Sequence, residues 1–76
     1  MKNAIVFLAD GFEEIEAITV IDYLRRANVD VKTVAVPSAT MKKENMPTGS
    51  HNITVVADYS FSDFEEAYNQ KLPDLV

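Results

Sequence analysis

The chain has 76 residues, a net charge of −5 and no cysteine, so disulfides, thiolate metal sites and a cysteine nucleophile are excluded within it. Twelve acidic residues face seven basic ones, and the basic ones pair only at Arg25-Arg26 and Lys42-Lys43, a distribution that repels phosphate backbones and argues against a nucleic-acid partner. With 47% hydrophobic and 25% charged residues the composition is that of a folded protein, although a chain this short buries only roughly 60% of its unfolded surface.

The first predicted element is a strand over 3–9, a continuous apolar run ended by Asp10-Gly11. Such a run reads as a strand buried on both faces of a parallel sheet. It is too short for a signal-peptide core or a membrane span, and the expected location is the cytosol. A helix is expected over 13–27, with acids at its start, Arg25-Arg26 at its end and Asn28 as a left-handed terminator. A second strand follows over 29–36 and stops at Pro37, which makes a βαβ unit. Residues 37–49 read as a surface loop, 51–58 as a third, edge strand, and 62–69 as a short helix opened by a Ser62-x-x-Glu65 capping box. Leu72 to Val76 start another apolar strand after a proline, and the expectation is that residues 1–76 are the N-terminal portion of a larger domain.

With two glycines, Gly11 and Gly49, neither the dinucleotide fingerprint nor the phosphate loop can be written. His51 is the single histidine and has no acid at ligand spacing beside it, so no metal is expected. Along the first helix Ile15, Ala17, Ile18, Val20, Ile21, Tyr23 and Leu24 occupy more than one face, wider than a single sheet needs, and a subunit interface is the expected cover. A polar stripe runs through Glu16, Thr19, Asp22 or Tyr23, and Arg26, in which Asp22 and Arg26 form an acid-first i, i+4 pair. Glu16 reads either as a first-turn acid complementing the helix dipole or as a buried, raised-pKa carboxylate at the carboxyl edge of a parallel sheet. Pattern alone does not decide between the two.

The run A-I-V-F-L-A-D-G-F-E-E-I-E-A-I-T-V-I-D-Y-L-R-R-A-N, residues 4–28, resembles the opening of the ThiJ/PfpI superfamily. The blocks G-F-E-E-I-E (11–16) and I-D-x-L-R-R-A (21–27) are similar to its branch of the parkinsonism-associated protein deglycase and bacterial ThiJ-like proteins. T-G-S-H-N-I-T-V-V-A-D (48–58) and P-D-L-V (73–76) extend the resemblance over nearly the whole chain, with Asp10 and Asn28 standing where relatives often carry Pro or Lys and Gly. The resemblance implies a flavodoxin-like α/β fold, of the class I glutamine amidotransferase-like kind. That fold is a three-layer sandwich around a mainly parallel sheet, usually homodimeric and without a cofactor, here cut before its nucleophile elbow. It implies that Glu16 contacts the sulfur of a cysteine C-terminal to Val76, and that Arg26 and His51, with Asp22 beside them, lie near a dimer interface or substrate site. His51 also reads simply as a solvated histidine.

Two classes of function follow from the resemblance. One is a cysteine enzyme acting on methylglyoxal or glycated protein, a glyoxalase or deglycase, with Glu16 as the acid/base partner of the thiolate. The other is a non-enzymatic redox-sensing stress protein or chaperone. The chain alone lacks the nucleophile and is expected to be inactive.

Overall fold

The structure is a computed structural model that describes residues 2–68. Its elements are β1 (Asn3–Leu8), α1 (Glu14–Arg26), β2 (Asp30–Ala35), β3 (Tyr59–Ser60) and α2 (Phe61–Tyr68). The sheet has the order β1-β2-β3, all parallel, with Asn3 opposite Asp30, Leu8 opposite Ala35 and Ser60 also opposite Ala35. The expected βαβ unit is therefore present, its strands one or two residues shorter than the apolar runs suggest.

Side chains alternate across a strand, and the two faces of β1 meet different helices. Ala4 and Leu8 cluster with Ile21 of α1 and Val31 of β2, and Val6, Ala17 and Leu24 pack around them. On the other face Phe7 meets Phe64 of α2 edge-on, with ring centroids 5.7 Å apart. Phe64 also touches Phe61 and Tyr68, so α2 is held by an aromatic cluster rather than by aliphatic packing. Helix, sheet and helix form the three layers that the sequence leads one to expect. Asn28 ends α1 with φ 63°, the left-handed conformation that suits asparagine.

Two expectations are corrected. Residues 51–58 are not a strand: Asn52 turns the chain with φ 66°, and one antiparallel bridge, Thr48 to Thr54, is all the ladder this segment makes. The third strand is Tyr59–Ser60 instead, and Asp58 explains its short length. The Asp58 carboxylate accepts from Thr33 N at 2.8 Å and from Thr33 Oγ1 at 3.1 Å, while Asp58 N donates to Thr33 Oγ1 at 2.9 Å. A side chain thus satisfies the β2 backbone where a paired strand would otherwise stand, and the backbone ladder begins one residue later. The second correction concerns α2, which starts at Phe61 because Ser60 Oγ, not Ser62, accepts from Asp63 N at 3.2 Å. The expected end at Asn69 and the strand over 72–76 lie outside the described residues.

Arg25 completes the Asp58 junction, donating to Val31 O and to Asp58 Oδ2, both at 3.0 Å. Replacing Asp58 with alanine is expected to cost about 1–3 kcal/mol, because Thr33 N loses its acceptor in a partly buried place. Thr33→Val, which keeps the shape and removes only the hydroxyl, is expected to cost less. Thermal unfolding followed by circular dichroism checks both, and an unchanged midpoint for Asp58→Ala would show that this junction does not hold the third strand.

Candidate functional site

The carboxyl end of β1 leads into a turn whose polar groups are nearly all spent on the 38–53 loop. Gly11 takes φ 91°, a conformation that disfavours any side chain, and donates to Thr48 O at 2.8 Å. Asp10 accepts from Thr48 N at 2.9 Å and from the Thr40 hydroxyl. The Thr40 hydroxyl first, and the Thr48 N–H next, hold its carboxyl below the ordinary range. Ser50 N donates to Phe12 O at 2.7 Å, closing the turn from the other side.

Helix α1 then opens on two glutamates with divided duties. Glu13 is the N-cap, and its Oε1 accepts from Ile15 N at 3.3 Å. Glu14 is buried, at 6% exposure, and reaches the 49–53 turn: Oε2 accepts from His51 N at 2.8 Å and Ile53 N at 3.2 Å, and Oε1 lies 3.1 Å from His51 Nδ1. Burial is the largest single influence on its acidity and pushes upward. Its own N–H, those of His51 and Ile53, and the His51 ring together outweigh burial and keep the carboxyl below its ordinary value. Gly49 is needed here because a Cβ would stand 2.3 Å from Glu14 Cδ and Oε2.

Sequence spacing found no acid beside His51, yet folding brings Glu13, Glu14 and His51 together with potential ligand atoms within 4.8 Å of one another. Glu14 is already engaged by two backbone N–H groups, and the positive end of α1 opposes a cation, so hydrogen bonding accounts for this arrangement. His51 itself is largely exposed and also contacts Ser50 Oγ at 3.1 Å.

Glu16 is exposed, and the expected burial is not found in the described residues. The reason is helical rotation. Ala17 and Leu24 flank the buried Ile21 on the sheet-facing side, and Glu14 shares their i, i+3 spacing, whereas Glu16 lies about 200° from Glu14 around the axis. The strand expected over 72–76 is outside the described residues. Asp22 and Arg26 do form their pair, 3.0 Å apart but largely exposed, a contact contributing about 0.3–0.5 kcal/mol. Arg26 stands roughly 15 Å along the helix from Glu16, so one chain does not bring these two site residues together. On the outer face of α1, Ile15, Ile18, Val20 and Tyr23 are exposed, which matches the surplus of apolar positions read from the sequence.

Because folding lowers the Glu14 pKa, its contribution to stability is fully present above the ordinary value of 4.5 and is lost as pH falls through the lower folded value. Acid titration of the melting midpoint is therefore expected to show a decline below about pH 4.5 that Glu14→Gln shallows. Asp10 titrates in the same direction, so the decline does not vanish. Gly49→Ala is expected to destabilise the chain, and much less so in a Glu14→Ala background, since both changes break the same contact. Strictly additive effects in that double-mutant cycle would refute the contact's importance.

Comparison with known proteins bears on what this arrangement belongs to. A search of curated proteins gave no match. Among solved structures, a mutant of a DJ-1 superfamily protein from Salmonella typhimurium is 40% identical with a TM-score of 0.72, covering 88% of this chain and 34% of that one. Oxidized DJ-1 of Toxoplasma gondii is 31% identical with a TM-score of 0.76, over 90% of this chain and 34% of that one. DJ-1beta of Drosophila melanogaster is 28% identical with a TM-score of 0.70, over 88% and 33%. The chain thus spans about a third of the length of the structures it matches. The model of the DJ-1/PfpI family matches residues 2–72, and the chain belongs to that family.

Proposed function

We propose that the chain is the N-terminal part of a cofactor-independent cysteine enzyme acting on methylglyoxal or glycated protein, and that it supplies Glu16 as acid/base partner of a thiolate lying C-terminal to Val76. The observation that carries this reading is the family match over residues 2–72, with Glu16 in the first turn of the helix that follows β1. Ligands of open α/β sheets collect at the carboxyl ends of the strands, and that turn stands there. Among the described residues no hydrogen bond or ion pair engages the Glu16 carboxylate, which leaves it free for a group outside this chain.

The chemistry needs two kinds of group. A thiolate adds to the aldehyde carbon of methylglyoxal, and the resulting alkoxide takes a proton to give a hemithioacetal. Glu16 then carries the proton from that carbon to its neighbour through an enediol, and water releases lactate from the thioester and frees the thiol. No net oxidation occurs, so no cofactor is required. The exposed Ile15, Ile18, Val20 and Tyr23 of α1 are assigned to a second copy of the protein, with Arg26, Asp22 and His51 at or near that contact. The alternative is a redox-sensing stress protein or chaperone, for which the same cysteine would be oxidised rather than acylated.

Lactate formation from methylglyoxal, measured for the chain alone, for the longer protein and for its Glu16→Gln variant, separates the readings. The chain alone is expected to be inert, the longer protein active, and the nearly isosteric variant folded but about 10²–10⁴-fold slower. Activity in the chain alone, or an unaffected variant, removes Glu16 from the mechanism. An inactive longer protein favours the sensor or chaperone.

A further inference from the structure

The first turn of α1 lacks an apolar anchor. Ile15 and Glu16 are exposed and Ala17 offers the core a single methyl group, so Glu14 is the one buried side chain of that turn. The next buried side chain of the helix is Ile21, two turns further on. The N-cap adds little, since the bond from Ile15 N to Glu13 Oε1 is 3.3 Å long and open to water.

An aliphatic side chain in the place of Glu14 would hold this turn without fixing its direction. The carboxylate fixes it, because His51 N and Ile53 N reach one oxygen and the His51 ring the other, all from the 49–53 turn. That turn is itself tied down: Gly49 N donates to Ile53 O at 2.9 Å, and Ser50 N to Phe12 O at 2.7 Å, just ahead of the helix. We propose that Glu14 is a positioning residue, which sets where the Glu16 carboxylate stands by tying the first turn of α1 to the 49–53 turn. The catalytic consequence rests on Glu16 being the acid/base partner of the thiolate. Without the anchor the turn keeps only an exposed cap and one methyl group, and a helix end so held frays. Misplacing a catalytic group by about 1 Å costs about 10²-fold in rate.

Backbone relaxation of the isotope-labelled full chain reads the positioning, and turnover of the longer protein on methylglyoxal reads its consequence. The variants are Glu14→Ala and Glu14→Gln, the second keeping the volume and one acceptor oxygen. Dispersed amide shifts over β1 and β2 show that a variant is folded, and Glu14→Gln carries the comparison if the alanine variant is not. Order parameters at Ile15, Glu16 and Ala17 are expected to fall from about 0.85 toward about 0.6 in Glu14→Ala and by less in Glu14→Gln, while those of Asp22 to Arg26 hold. In the longer protein Glu14→Ala is expected to lower kcat about 10²-fold with KM nearly unchanged, and Glu14→Gln to retain part of the loss. In a Glu16→Gln background the same change is expected to cost at most a few-fold more, because it acts through Glu16. Unchanged order parameters at Glu16, an unaffected kcat in Glu14→Ala, or its full loss repeated on top of Glu16→Gln overturns the proposal. Unaffected turnover in Glu16→Gln instead removes the catalytic reading of Glu16, and the order parameters then decide by themselves whether Glu14 sets this turn.

Discussion

The carboxylate of Glu14 is the contact on which the order of this molecule rests. The connection between β2 and β3 contains almost no regular structure, and each of its residues costs about 1–2 kcal/mol of backbone entropy to fix. One buried carboxylate receives two backbone N–H groups and a ring nitrogen from it, and in doing so ties the loop to the start of α1. Asp10 makes a second attachment and Asp58 a third, so three acids replace the ladder that a longer strand would have supplied. These hydrogen bonds to charged acceptors are roughly twice as strong as neutral ones, which is how so few of them suffice.

The same economy shapes the approach to α1. Gly49 lets the loop backbone come close to Glu14, Gly11 lets the chain turn sharply out of β1, and Ser50 N closes back onto Phe12 O. The carboxyl end of β1 and the amino end of α1 are thereby held in a fixed relation. Glu16 inherits this placement without taking part in it, since its side chain projects from the far side of the same turn. The Glu14 anchor gives the first turn of α1 a rigid support, and among the described residues the Glu16 oxygens take no part in it.

Apolar surface is left open on three parts of the described residues. Ile15, Ile18, Val20 and Tyr23 lie on α1, Ile53 and Val56 on the loop, and Phe7 on β1, which is an outer strand of the described sheet. Of these, the four on α1 share the outer side of one helix, the arrangement that marks a candidate contact surface. On α1 the sheet-facing side packs on Ala4, Leu8 and Val31, whereas the outer side is exposed.

Local pattern was enough for β1, α1 and β2, because continuous apolar runs, a charge-graded helix and the Asn28 terminator express backbone preferences that act within a few residues. The Asp22 to Arg26 pair and the surplus apolar face of α1 were legible for the same reason. The family blocks at 11–16 and 21–27 likewise led to the family. The alternation over 51–58 misled, since nothing local shows that Asn52 turns the chain or that the Asp58 side chain takes the place of a strand. Which of two neighbouring glutamates is buried was also beyond the sequence: Glu14 and Glu16 differ only by a rotation about the helix axis. The turn that receives Glu14 lies 37 residues further on. Contacts of that separation are decided by how the whole chain closes, so only the tertiary structure could join Glu14 to His51 and leave Glu16 facing outward.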